Sequence, residues 1–331
     1  MQEFQRRNFH VSRHPVASLI LRRIGLALVT LLAVSVVVFA LVQALPSDAA
    51  EALLGQNATP QAVAHLRQEL GLNEPVVARY FAWLARLLSG DLGRSLANGL
   101  PVSDLLRDRL ANTLFLFLVS ATASLPLALL LGLACATWRG SLFDRVCNIV
   151  AASLISSPQF LVAYLLIYLL SVSWGLFPSS ADIRPGMATQ DKFYVAFLPA
   201  VTLCVIVVAY MLRMTRAAIL DVLGNDYIRM AILKGVKQRR VVVHHALPNA
   251  IAPIAIVVAL LLAYLIVGVV IVETVFVYPG LGQLLVDAVG KRDIVVVQAV
   301  SMIFATAFIT FNTLADIVSI ICNPRLLYPR A

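Results

Sequence analysis

Residues 246–272 read ALPNAIAPIAIVVALLLAYLIVGVVIV, a stretch without a single Asp, Glu, Lys, Arg or His. A helix rises about 1.5 Å per residue, so about 20 apolar residues cross the hydrocarbon core of a bilayer. Five more charge-free runs are of comparable length: Ile24–Ser47, Leu110–Trp138, Val146–Ala181, Ile294–Ala315 and the shorter Phe193–Leu212. Together they predict an all-α polytopic membrane protein with six transmembrane helices. The composition agrees. Of 331 residues 60% are apolar and only 13% charged, which excludes a disordered chain and argues against a purely soluble fold.

The net charge of +9 comes from 26 Lys and Arg against 17 Asp and Glu, and its distribution sets an expected orientation. The first run follows Arg22 and Arg23 directly, is too long for the core of a cleaved signal peptide, and lacks a convincing small-residue cleavage site. It reads as a retained anchor with its N-terminus inside. Alternation then puts 16 Lys and Arg inside and 10 outside, and only 4 of those 10 lie in short outside loops. That is the positive-inside pattern. It makes a nucleic-acid surface unnecessary as an explanation of the charge.

The expected organisation is a cytoplasmic segment 1–23, a first transmembrane helix 24–47, an extracytoplasmic helical cap 48–109, a transmembrane core 110–321 containing a long inside loop 213–247, and a cytoplasmic tail 322–331. In the cap, Pro60, Gly71, Pro75, Gly90, Gly93, Gly99 and Pro101 separate short amphipathic stretches. Cys135, Cys147, Cys204 and Cys322 lie in or beside spans, with no metal-binding spacing and no disulfide framework.

The inside loop is patterned. Asn225 and Asp226 can cap a helix starting at Tyr227, and Gly235 interrupts it. Val236–Leu247 then carries Lys237, Arg239, Arg240, His244 and His245. The expectation is two short helices joined at a glycine on the inner membrane face. A basic face against anionic lipid would account for the charges but not for the rest of the pattern. The two adjacent histidines point about 100° apart on a helix and make a poor metal site.

Asp226-Tyr227-Ile228-Arg229-Met230-Ala231-Ile232-Leu233-Lys234-Gly235, then His245-Ala246-Leu247 and Asn249-Ala250, resembles the "EAA" loop of binding-protein-dependent ABC importer permeases, in particular the dipeptide/oligopeptide/nickel branch. Met230 and Leu233 replace residues that are usually small there, and Pro248 replaces the branch's common Arg. Further phrases extend the likeness over almost the whole chain: Leu21-Arg22-Arg23 to Ala44-Leu45-Pro46-Ser47-Asp48, Gly71-Leu72-Asn73-Glu74-Pro75, Gly90-Asp91-Leu92-Gly93-Arg94-Ser95, Val272-Glu273-Thr274-Val275-Phe276, and Tyr278-Pro279-Gly280-Leu281-Gly282. The resemblance implies a type I ABC importer permease fold in the bacterial or archaeal cell inner membrane, with both termini cytoplasmic. It also implies a second homologous permease subunit, two cytoplasmic ATPase subunits and an extracytoplasmic solute-binding protein. Asp226, Tyr227, Arg229, Ala231, Lys234, Gly235, His245, Leu247 and Asn249 would then form the ATPase-coupling loop.

Candidate pathway or gating residues are the polar or kinked positions in spans: Pro158 with Gln159, Glu273 with Pro279, Gly280 and Gly282, and Asn312 with Asp316. Each has an ordinary reading beside the functional one. Pro158 kinks a helix for packing, Glu273 is a hydrated carboxylate at the interface, and Asp316 pairs with Arg325 or another helix. The chain has no Gly-x-x-x-x-Gly-Lys-[Ser/Thr] loop and no catalytic constellation, so it reads as a transport subunit and not an enzyme. No cofactor is expected on this chain; the resemblance puts ATP and Mg on the partner ATPases. The alternative is an ion-coupled secondary transporter or channel, which needs mid-membrane carboxylates of its own, and Asp316 is off-centre. A membrane scaffold or receptor anchor is a third class.

Overall fold

A computed structural model describes residues 15–43, 59–69, 73–184, 186–236 and 240–322. The described residues are mostly helical, and the sole extended contact among them is an isolated bridge between Arg94 and Pro101. In chain order the helices are α1 (Pro15–Gln43), α2 (Pro60–Glu69), α3 (Val76–Leu88), α4 (Val102–Thr137), α5 (Leu142–Ser156), α6 (Gln159–Leu166), α7 (Thr189–Val195), α8 (Phe197–Leu223), α9 (Asp226–Leu233), α10 (Leu247–Val275), α11 (Leu281–Gly290) and α12 (Ile294–Ile321). π-helical turns extend α6 over Ile167–Ser173 and lead into α10 over Val241–Ala246.

Helices α1, α4, α8 and α12, and the continuous segment Val241–Val275, are long and apolar enough to cross a membrane. The sixth span is α5 with α6, and it is broken. The two halves meet at 111° around Ser157 and Pro158. The break is far sharper than the kink expected of one proline. It follows from extended backbone at two successive positions, with ψ at 136° for Ser157 and 138° for Pro158.

Helix ends differ from the charge-free runs in an instructive way. The α4 helix starts at Val102, ahead of the run at Leu110, and α8 continues through Arg213 and Arg216 to Leu223. Loss of apolarity marks the edge of hydrocarbon, not the end of a helix; charged residues continue it into the interface. The inside loop is correspondingly shorter than 213–247. It consists of α9, the turn at Gly235 and residues leading into the π-helical turn, whose helix runs straight into α10. The second of the two expected short helices is thus the beginning of the fifth span.

Lipid offers no hydrophobic drive for helix association, so close packing must come from small residues. On α4 the buried positions Ala121, Ser124, Ala128, Gly132 and Cys135 recur at helical spacing. Gly132 lies against Thr215 of α8, and a Cβ there would stand 2.7 Å from the Thr215 Cβ. This crossing centres a core that also takes in Leu203, Val207 and Met211 of α8 and Val269 and Val272 of α10. A second cluster joins the start of α4 to α11 and α12 through Val102, Leu106, Leu281, Val296 and Val300.

Among its described residues the cap is tied to α1 and to α12. Tyr80 and Trp83 of α3 pack on Phe39 of α1 at ring-centroid distances of 5.5 and 5.7 Å, and the Tyr80 hydroxyl is 2.9 Å from that of Ser35. The buried Asp293 carboxylate accepts hydrogen bonds from the Ser95 hydroxyl and the Leu96 and Ala97 amides while also capping α12 through Val296 N–H. Arg23 of α1 pairs with Asp316 of α12 at 3.0 Å.

Packing at Gly132 sets an expected order. Gly132→Ala should cost about 1–3 kcal/mol by overpacking, and Gly132→Val more. The check is the unfolding midpoint of the detergent-solubilised protein, which should fall in that order.

Candidate functional site

The connection after α8 begins with α9, whose first residue is Asp226. Ile228 is fully buried and pins the helix beside the equally buried Val241, Val242 and Ala246 of the π-helical turn. The opposite face is open. Tyr227, Met230 and Leu233 are exposed by 51%, 55% and 80%. These three apolar side chains stand about one turn apart, the spacing of a single helical face. A surface stripe of this kind is open to contact with another protein or with a membrane surface. Sequence reasoning included Tyr227 but treated Met230 and Leu233 only as departures from a pattern; it did not identify Ile228 as the anchor.

Arg229 and Ala231 lie on α9, and Lys234 is exposed just beyond it. Gly235 has φ of +80°, and a Cβ there would meet nothing within 4 Å. The glycine is needed for backbone conformation and not for space: left-handed φ is strained in any residue with a Cβ. His245 is exposed, Leu247 is half-buried, and the Asn249 amide donates to the His245 carbonyl at 2.7 Å. Lys237 and Arg239 lie outside the described residues.

Immediately behind this connection, Arg216 of α8 reaches the α4–α5 turn. Its guanidinium grips Asp144 with two parallel bonds, Nε–Oδ1 at 2.6 Å and Nη2–Oδ2 at 2.8 Å. Gly140 N–H and the Asn148 amide also donate to the same carboxylate, at 2.9 and 2.8 Å. The Asp144 side chain is only 4% exposed. A bidentate buried pair with its remaining lone pairs satisfied is the geometry in which desolvation is best offset. It fastens the second and third spans to the fourth, seven residues before that helix ends. Nothing in the sequence links the two residues, because they lie 72 positions apart on different helices.

The opposite end of the bundle holds a second construction, built on Glu273. This residue is fully buried, so the hydrated carboxylate expected from sequence is not what the fold contains. Its Oε1 accepts from the Thr113 hydroxyl at 2.6 Å. Its Oε2 accepts from the amides of Gly282 and Gln283 at 2.6 and 3.3 Å, while Leu281 N–H donates to the Thr113 hydroxyl at 2.8 Å. Those three amides are orphan donors of the first turn of α11, at the positive end of its dipole. Gly280, at the N-cap, supplies no side-chain acceptor, so a carboxylate from the preceding helix does the capping.

That arrangement explains the glycines. A Cβ on Gly280 would fall on the Glu273 carboxylate, and one on Gly282 would lie 2.5 Å from the Val270 Cα. Around them, the Asn112 amide donates to the Pro279 carbonyl at 2.9 Å and the Tyr278 hydroxyl to the Asn112 carbonyl at 2.7 Å. Burial, with the nearby Glu273 carboxylate as a secondary cause, pushes the Tyr278 phenol far up, so it stays a donor. The α10 helix ends with Tyr278 N–H on the Glu273 carbonyl at 2.8 Å and Val277 N–H on that of Thr274 at 3.4 Å. This is a Schellman end in which Val277, at φ of 51°, occupies the place usual for glycine. A β-branched residue there costs about 1–2 kcal/mol; the buried Phe276 and Tyr278 on either side hold it.

The remaining candidates stand apart from this knot. Gln159 donates to the Gly268 carbonyl at 3.4 Å, so the broken span rests on α10. The Asn312 amide turns back onto the Phe308 carbonyl of its own helix at 3.2 Å. Asp316 pairs with Arg23 of another helix; Arg325 lies outside the described residues. Among the described residues no group of three or more His, Cys, Asp or Glu could hold a metal ion.

Comparison with known proteins matches residues 128–328 to the binding-protein-dependent transport system inner membrane components, and residues 16–117 to the N-terminal part of such membrane components. A probable peptide ABC transporter permease of Sinorhizobium fredii is 35% identical over 309 residues, 93% of this chain and 99% of the relative. A putative peptide transport system permease of Brucella abortus is 36% identical over 313 residues, covering 95% and 100%. A glutathione transport system permease of Salmonella typhi is 36% identical over 309 residues, covering 93% and 98%.

Substitutions at Glu273 and at the Asp144–Arg216 pair test the two constructions. Glu273→Ala strips acceptors from Thr113, Gly282 and Gln283, and each donor left unpaired costs about 1–3 kcal/mol. The unfolding midpoint should drop, with amide exchange in α11 rising first. Asp144→Ala leaves Arg216 charged and unpaired, a loss of about 3–5 kcal/mol, whereas Asp144→Leu combined with Arg216→Met should recover most of it by the same melting measurement.

Proposed function

This chain belongs to the binding-protein-dependent transport system inner membrane components, in the dipeptide/oligopeptide branch of ABC importer permeases, and on that premise we propose that it forms half of an ATP-driven translocation pathway. The other half is a second, homologous permease subunit. Two cytoplasmic ATPase subunits bind ATP and Mg, and an extracytoplasmic solute-binding protein delivers the cargo. This chain is a multi-pass inner-membrane protein that itself carries no cofactor and performs no chemistry. Its termini and α9 face the cytoplasm; α2, α3 and α11 lie on the outside.

The observation that carries the reading is α9. It is short, pinned from behind by Ile228, and presents Tyr227, Met230 and Leu233 outward. Such a helix suits a groove on an ATPase subunit. Because α9 follows α8 directly and the π-helical turn leads straight into α10, displacement of α9 moves two spans. The Asp144–Arg216 pair extends that movement to the second and third spans. ATP binding closes the ATPase pair, α9 follows, and the pathway opens outward; hydrolysis resets it inward. The buried Glu273 knot keeps the outer end of α10 and α11 together as one piece during the exchange.

The relatives' names point to peptides or glutathione; the resemblance to the dipeptide/oligopeptide/nickel branch adds a nickel chelate as an alternative cargo. Selection rests chiefly with the binding protein.

Gly235→Trp should block docking, since the residue sits at left-handed φ beside the docking face. The expected result is a chain that still inserts but no longer co-purifies with the ATPase and no longer supports uptake. Survival of both would refute the docking role. Uptake that requires ATP after the proton gradient is collapsed separates this reading from an ion-coupled transporter.

A further inference from the structure

The α3 helix of the cap carries two charged residues, Arg79 and Arg86, and no acidic ones. At about 100° per residue, Val77, Phe81 and Leu88 fall within about 40° of one another, with both arginines roughly 160–180° from their centre. Tyr80 and Trp83 occupy a third sector, which is the one packed on α1. The helix buries no residue completely. Its apolar stripe is open, with Val77 exposed by 66%, Phe81 by 61% and Leu88 by 80%. A cap bathed in water would have no reason to present such a stripe opposite its charges.

Depth identifies the covering partner. Tyr80 reaches Ser35 and Phe39, which lie eight and four residues before the end of α1, roughly 12 and 6 Å down its axis. Both belong to the apolar run Ile24–Ser47. The α3 helix therefore sits beside the membrane end of a span and not above it. At the same level α1 itself exposes Val36, Val37 and Leu41, an apolar surface suited only to lipid or to another transmembrane helix. On the opposite side of α3, Arg79 meets Gln43 at the end of α1. Arg79 and Arg86 line a cleft of about 800 Å³ with Glu74, Asp91 and Gln298, which is the wet side of the helix.

We propose that α3 is an interfacial helix of the membrane leaflet on the cap side, with Val77, Phe81 and Leu88 immersed in phospholipid and Arg79 and Arg86 turned toward headgroup phosphates and water. An amphipathic basic helix with aromatic and aliphatic residues on the other face binds a bilayer in this way, sinking about 5–10 Å. The cap is then held by three different attachments: aromatic packing on α1, the Asp293 carboxylate on the loop 95–97, and lipid under α3.

The test places the photoreactive residue benzoylphenylalanine at Phe81, Leu41 or Arg86 of the assembled transporter in nanodiscs of phosphatidylethanolamine and phosphatidylglycerol. Phospholipid adducts at 81 should come within about threefold of those at 41 and exceed those at 86 by about tenfold, as one-sided immersion requires. Cross-links at 81 to a protein subunit, or no adduct, would overturn the proposal. A spin label at Leu88, with the native cysteines replaced, gives a second reading. Molecular oxygen should relax it more than water-soluble chromium oxalate does; the reverse order, or protection from both, overturns the proposal as well.

Discussion

A carboxyl group with no access to water must find hydrogen-bond partners or its burial costs folding free energy, and both oxygens of Glu273 meet donors that need an acceptor. Thr113 comes from α4, the carboxylate from α10, and the amides of Gly282 and Gln283 from the first turn of α11. Three helices are joined through two oxygens. The same contacts dictate glycine at 280 and 282, the placement of Tyr278 over Asn112, and the tolerance of a strained Val277 between two buried aromatic residues. Remove the acceptor and each of these choices loses its reason.

The other end of the bundle solves the same problem with a full ion pair. Asp144 and Arg216 lie where the start of α5 meets α8, and the pair is bidentate, with a buried Asp144 that Gly140 and Asn148 also support. Between the two polar fixtures the packing is of apolar side chains with a few small hydroxyl residues, Ser120, Ser124 and Thr202 among them, and Gly132 lets α4 and α8 approach closely. A body fixed polar at both ends and closely packed between them can rock as a unit. That is the mechanical property the proposed drive through α9 would need, since motion delivered at one end must arrive at the other without being absorbed by loose packing.

Much of the fold was legible from hydropathy, because lipid imposes one requirement on every span: an apolar surface and a helix that satisfies its own backbone. Less could be read at helix ends. Arg213 and Arg216 end a charge-free run but not α8, and Asp104 to Arg109 lie outside a run but inside α4. The broken span showed itself as Pro158, but its 111° turn depends on the extended backbone of Ser157 as well. In the α9 segment the order Asp226 to Gly235 was readable. Its polarity was not, because facing in (Ile228) and facing out (Met230, Leu233) look alike in a string of apolar letters.

By itself the sequence determined the number of spans, the basic character of one end and the succession of motifs that places the chain among ABC importer permeases. These rest on properties of single segments, namely length, apolarity and residue order, which need no neighbour to be meaningful. Tertiary structure alone decided that Glu273 is a buried capping group and not a wetted one, that Arg216 belongs to Asp144, and that Asp316 belongs to Arg23. Each of those is a pairing across 9 to 293 positions of chain. A charge in a sequence has a sign but no partner, and its cost or benefit is set by what folding brings within 3 Å of it.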